Sequence, residues 1–140
     1  MKVLFVAGFG PIVSAMQESA AFYREHLGLS FQEEADGYLH TEELQGVKTF
    51  ALWPLSQVAQ SCFGTNAWPA DLPAPTSWLE FDVDDVPQAS EELKAKGYTL
   101  LTAARKEPWG QTVTRLLSPE GILVGLTYTP WMRESESEVQ

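Results

Sequence analysis

Residues 78–83 alternate strictly, with Leu79, Phe81 and Val83 on one side and Trp78, Glu80 and Asp82 on the other. A period of two marks a strand with one face in a core. Asp84-Asp85 then stops the strand and supplies an N-cap, and Pro87 falls in the first helical turn, where its missing N–H costs nothing. Val86, Ala89, Ser90 and Leu93 recur at helical spacing, Glu92 and Lys96 form an i,i+4 pair, and Gly97 is a C′ stop. Strand-like runs follow at Tyr98–Thr102, Gln111–Leu117 and Ile122–Tyr128, the last two joined by a type I turn at Ser118-Pro119-Glu120-Gly121. This half reads strand, helix, strand, strand, strand.

The first half repeats that order. Val3–Val13 is an apolar run broken by Gly8, Gly10 and Pro11, the pattern of a strand that something approaches closely. Ser14 and Gln17 have capping-box spacing, and Met16, Ala20, Tyr23 and Leu27 form the apolar stripe of a helix that Gly28 ends. Leu29–Glu33, Tyr38–Leu44 and Val47–Leu55 read as strands separated by Asp36-Gly37 and Gln45-Gly46 turns. The chain is thus one domain with a module at about 2–55, a linker at 56–76, a module at 77–129 and an acidic tail at 130–140. One helical turn is expected at Ser56–Cys62, followed by extended backbone at Pro69, Pro73 and Pro75; the tail, with Glu134, Glu136 and Glu138, is expected to be disordered.

Composition narrows the function classes. A net charge of −10 argues against nucleic acid, which requires basic patches, and suits solubility and the attraction of cationic ligands. No apolar run approaches the roughly 20 residues of a membrane helix, and no signal-peptide pattern is present, so neither membrane nor nucleic acid is an expected partner. The single Cys62 excludes an internal disulfide framework and fits a reducing cytoplasm. His26, in the last turn of the first helix, reads as a surface residue; His40, beside Glu42 and Glu43, reads as a polar strand-face residue, with a general-base or ligand role as the alternative.

The paired modules carry GPIVSAMQESAAFYREHLGL at 10–29, WLEFDVDDV at 78–86 and EPWGQTVTRLLSPEGILVGL at 107–126. With these segments the chain resembles the vicinal oxygen chelate superfamily, which holds glyoxalase I, extradiol dioxygenases, fosfomycin-resistance enzymes and bleomycin-resistance proteins. The resemblance implies an α+β fold of two βαβββ modules whose curved mixed sheets enclose a cleft, in a homodimer. Metal-dependent members of that group hold one ligand on the first strand of each module and another on the last. Those positions fall here on Gly8, Trp78, Ala51 and Gly125. None of the four side chains donates a lone pair, whereas a catalytic metal site needs about three protein ligands. The resemblance therefore implies the metal-free, bleomycin-resistance-like branch, with no metal and no cofactor, whose members sequester a cationic drug.

If Trp78 occupies a ligand position, Glu80 and Asp82 share its face, and Gly8, Gly10 and Gly125 leave room beside them. An indole beside carboxylates suits a flat or cationic guest. The expected ligand-binding residues are Trp78, Glu80, Asp82, Trp109, Arg115, Gly8 and Gly125, in a non-catalytic protein binding an aromatic or cationic small molecule. Core packing is the alternative for Trp78, and an ion pair with Glu80 or a neighbouring acid is the alternative for Arg115. Trp53 reads as core, while Trp109 either overhangs the cleft or staples its loop. Two enzymatic readings stay open: a lyase, isomerase or dioxygenase with displaced ligands such as His40 and Glu80, and a metal-free enzyme with Glu80 or Asp82 as general base.

Overall fold

The computed structural model describes residues 1–133. One mixed sheet of eight strands runs through the whole molecule in the order β2-β3-β4-β1-β5-β8-β7-β6. The first module supplies β1 (Val3–Val13), α1 (Met16–Ala20), β2 (Gln32–Glu33), β3 (Leu39–Thr41) and β4 (Phe50–Pro54). Between the modules lies α2 (Leu55–Phe63); the second module supplies β5 (Ser77–Val83), α3 (Val86–Ala95), β6 (Thr102–Lys106), β7 (Thr112–Leu117) and β8 (Leu123–Tyr128). The two modules pair within one chain, through antiparallel β1 and β5. In each, the first strand runs parallel to the last, β1 to β4 and β5 to β8.

The register at this seam explains the glycines of β1. Trp78 stands opposite Gly10, and Glu80 stands between Gly8 on β1 and Gly125 on β8. A Cβ on Gly8 would lie 2.8 Å from Trp78 Cη2, and one on Gly125 would lie 2.9 Å from Glu80 Cγ. At Gly10 a Cβ would sit 2.0 Å from the carbonyl oxygen of Ala51, so β1 and β4 approach as closely as they do only because that position is bare. The expectation that these glycines leave room is thus corrected: the side chains of Trp78 and Glu80 fill the space at Gly8 and Gly125, and the Ala51 carbonyl fills it at Gly10.

Three apolar clusters hold the layers together. On the outer face, Ala20 of α1 packs with Leu39, Phe50 and Leu52, while Val86 and Ala89 of α3 pack with Val83 and Leu126. On the inner face, Val58 and Cys62 of α2 pack with Ile12, Ala51, Trp78 and Leu123. The linker expected at 56–76 is thus more than a connector, because its helix covers part of the inner face.

Local signals decide the second module well. Asp85 caps α3, its carboxylate accepting from Gln88 N at 3.0 Å. Gly121 N donates to Ser118 O at 2.9 Å, closing the turn between β7 and β8. The expected Glu92–Lys96 pair is replaced: Glu92 accepts from the amino group of Met1 at 2.7 Å. The strand expected at Tyr98–Thr102 lies instead at Thr102–Lys106, because Tyr98 N still donates to the helix at Leu93 O and Leu101 is the first residue bonded to β7, at Arg115 O.

The first module departs further. Ser14 makes no cap, Ala15 holds the N-cap position, and the capping box with Gln17 does not form. After five residues α1 widens into a π-helical segment, Ala21–His26, as Tyr23 turns to pack its ring 5.9 Å from that of Phe50. Strand β3 is shorter than the expected Tyr38–Leu44 because Glu43 N turns back to Thr41 Oγ1 at 3.2 Å. Of the expected tail, residues 130–133 are helical and packed, and 134–140 lie outside the described residues. No helix among the described residues is long and apolar enough to cross a membrane.

Candidate functional site

A cleft of about 970 Å³ opens on the inner face of the sheet, and its wall is part aromatic and part acidic. Trp53, Trp78, Trp109 and Trp131 line it, together with Tyr38. Trp78 is 5 % exposed: its indole is mostly core and presents an edge to the cleft. Its Nε1 donates to Ala51 O at 3.2 Å, and Trp53 meets it edge-on at 5.9 Å. Trp53 therefore serves core and cleft together. Trp109, half exposed, lines the cleft and donates Nε1 to Gln111 Oε1 at 2.9 Å.

The polar floor is an ion-pair array. Arg115, 1 % exposed, donates Nη1 to Glu107 at 3.0 Å and Nη2 to Glu80 at 3.4 Å, and its guanidinium lies 5.1 Å from the Trp53 ring. Glu107 also accepts from Arg105 at 3.0 Å, and Ser61 of α2 accepts from Arg115 at 3.0 Å while donating to Glu107 at 3.2 Å. Two carboxylates and two guanidiniums compensate one another here, as buried charges must. Burial pushes the Glu80 carboxyl above its ordinary range, against the opposing pull of Arg115 and of the Gln111 amide. Arg115 is committed to the protein's own carboxylates rather than free for an anionic guest.

Gln111 is the hub that sequence reasoning missed. Its Nε2 donates to Glu80 Oε1 at 3.1 Å and to Thr129 Oγ1 at 2.9 Å, while its Oε1 accepts from Trp109. One amide therefore orients the carboxylate on the floor and the indole at the mouth. A glutamine after a glycine carries no signal of such a role; only its burial, at 5 % exposure, reveals it.

The opposite wall is acidic. Glu34, Asp36, His40 and Glu42 line it, and both imidazole nitrogens are taken, Nδ1 by Glu42 and Nε2 by Glu34, each at 2.8 Å. Burial pulls the His40 pKa down, but the two carboxylate hydrogen bonds outweigh it and the net shift is upward. Tyr38 stacks on His40 with centroids 5.3 Å apart, and burial together with the nearby Glu80 charge keeps its phenol protonated. The cleft as a whole presents four carboxylates against one guanidinium, plus the clamped imidazole.

Of the expected ligand-binding residues, Trp78, Glu80, Trp109 and Arg115 line the cleft. Gly8 and Gly125 stand behind Trp78 and Glu80 as the bare positions that admit those side chains. Asp82 lies elsewhere: it is fully buried and absorbed by Thr127, Thr129 and Arg133. Strand alternation put it on the correct face, but the chain beyond β8 covers it.

The donor set also bears on a metal. Gly8 and Ala51 meet the Trp78 indole, while Gly125 lies against the Glu80 side chain, so these four positions offer backbone and ring carbon. Among the described residues no group of three or more His, Cys, Asp or Glu is placed to hold a metal ion. The residues at these four positions do not fit one.

The sequence profile of the Glyoxalase/Bleomycin resistance protein/Dioxygenase superfamily matches residues 9–126. The chain belongs to that superfamily. No curated protein matches it in sequence. Among solved structures it is similar to a superfamily member from Vibrio splendidus 12B01, at 16 % identity over 89 % of this chain and 97 % of that one, TM-score 0.56. A variant of Streptomyces coelicolor methylmalonyl-CoA epimerase in complex with 2-nitronate-propionyl-CoA is 17 % identical over 92 % and 99 %, TM-score 0.56. A Legionella pneumophila chain described as NAD-dependent benzaldehyde dehydrogenase is 13 % identical over 86 % and 96 %, TM-score 0.58. At these identities the likeness is one of fold alone.

Proposed function

We propose that this superfamily member is a non-catalytic binding protein that sequesters an aromatic or cationic organic ligand, such as an antibiotic, in the cleft. The observation that carries the reading is the Trp78 indole lodged against Gly8 and Ala51, where the resemblance would place an ion. With it in the cleft wall stand three further tryptophans for a flat guest and an excess of carboxylates for a positive one. Stacking and cation–π contact each contribute about 0.5–2 kcal/mol, and the acidic wall favours approach of cations.

The test is a panel of cationic aromatic compounds, including bleomycin and thioflavin T, read by tryptophan fluorescence and thermal unfolding. A true ligand at one hundred times its Kd adds about 2.7 kcal/mol of stability, enough to raise Tm by several degrees. Glu80→Gln should weaken a cationic ligand about tenfold, the expected loss of one partly buried charge partner. A panel that moves neither signal sinks the reading.

The raised carboxyl of Glu80 inside the cleft favours one second reading, a metal-free enzyme using Glu80 as general base. Turnover lost in Glu80→Gln with binding intact would support it, and an inert wild type would remove it. The proposal extends to a homodimer. Val6 and Phe9 of β1 and Phe22 after α1 are large apolar residues left exposed, and a second copy would cover them. Sedimentation showing a monomer at micromolar concentration would exclude that.

A further inference from the structure

We infer that Asp82, buried on β5 under the chain beyond β8, fastens the C-terminal segment 129–133 beside the cleft, so that Trp131 and Met132 become a wall of it. This rests on the reading of the cleft as a binding site and makes Asp82 a positioning residue.

The carboxylate is fully buried and fully engaged. Oδ1 accepts from Thr127 Oγ1 at 2.5 Å and from Thr129 Oγ1 at 2.8 Å; Oδ2 accepts from Thr129 N at 2.9 Å and from Arg133 Nε at 3.1 Å. A buried carboxylate needs a compensating cation, and among the described residues the one paired with Asp82 is Arg133. Arg133 is held on two further sides, donating Nη2 to Val83 O and lying 4.6 Å over the Tyr128 ring. Met132 N and Arg133 N both return to Thr129 O, closing a turn that begins at the residue Asp82 grips. Trp131 and Met132 sit inside that turn and line the cleft, with Trp131 about half exposed.

The same contacts couple the clasp to the floor. Thr129 Oγ1 donates to Asp82 and accepts from Gln111 Nε2, whose second N–H goes to Glu80. One hydrogen-bond chain therefore runs from the buried carboxylate to the cleft's own, and releasing Thr129 loosens both the wall and Gln111. The local turn at 129–133 is thus anchored to the sheet by a strand residue some fifty positions earlier.

The experiment compares Asp82→Asn, Arg133→Gln, Arg133→Lys and Trp131→Ala in the full chain, reading the Kd for thioflavin T, amide exchange at 129–133 and Tm. Asp82→Asn and Arg133→Gln should each weaken dye binding about tenfold and speed exchange at 129–133, with the double variant no worse than either single one. Trp131→Ala should match their loss of affinity with little change in Tm, and Arg133→Lys should restore most of it. A purely structural Asp82 would lower Tm and leave the Kd, measured well below Tm, untouched; that result overturns the proposal. If the wild type binds no dye, the binding reading fails on its own. The clasp is then judged by exchange alone, where unchanged protection in both Asp82→Asn and Arg133→Gln overturns it.

Discussion

The two modules share an order of elements and differ in how they are held. In the second, α3 spans ten residues with an Asp85 cap, and β6, β7 and β8 span five or six residues each. In the first, α1 has five residues and no side-chain cap before it opens into a π turn, and β2 and β3 have only two and three. The division extends to the cleft. The second module gives the compensated floor of Glu80, Arg115, Glu107 and Gln111, whereas the first gives bare glycines at the seam and an acidic wall around His40. A module built from local signals can carry buried charge, because its backbone is already fixed. One held by tertiary contact supplies close approach instead.

The sharpest way to break this comparison is Arg115→Met. It leaves Glu80 without its guanidinium and Glu107 with that of Arg105 alone, and should cost about 3–5 kcal/mol in urea unfolding. A loss below about 1 kcal/mol would mean that the floor does not depend on its ion pairs. Next comes the seam. Gly10→Ala drives a Cβ onto the Ala51 carbonyl and should cost about 2–3 kcal/mol by the same measurement, since backbone cannot yield as a side chain can.

The caps give a smaller, paired test. Asp85→Ala should cost about 1 kcal/mol, while Ser14→Ala should change stability by only a few tenths, because Ser14 caps nothing. Equal effects from the two would erase the contrast between the modules. Smallest is the pH response of the acidic wall. The His40 pKa is raised on folding, so the stabilisation from its two carboxylate partners is full below about pH 6.5 and is lost as pH rises through the higher folded value. Partial exposure keeps this under about 1 kcal/mol, and His40→Gln should flatten the urea midpoint across that window.

Much of the architecture was legible along the chain. Period-two alternation at 78–83, the Asp85 cap, Pro87 and the turn at 118–121 are local, so the second module could be read closely except at β6, which lies four residues beyond its expected place. The glycines of β1 announced a close approach, though not what would come close. Four cleft residues, Trp78, Glu80, Trp109 and Arg115, were found because alternation and an unusual aromatic or charge on a strand are visible in one dimension. Gln111, Tyr38 and Trp131 were not, since a buried glutamine, a strand tyrosine and a tryptophan near the end of the chain look ordinary until folding brings them together.

By itself, then, the sequence determined the repeat, the strand faces and the membership of the superfamily, because those depend on periodicities and spacings of a few residues. Tertiary structure alone decided that the modules join at β1 and β5 within one chain, that α2 covers part of the inner face, and that Asp82 is spent on the C-terminal segment rather than on the cleft. These depend on contacts between residues far apart in the chain, from Trp78 with Ala51, twenty-seven positions away, to Val3 with Val83, eighty away, and no local pattern encodes which partner a buried group will meet.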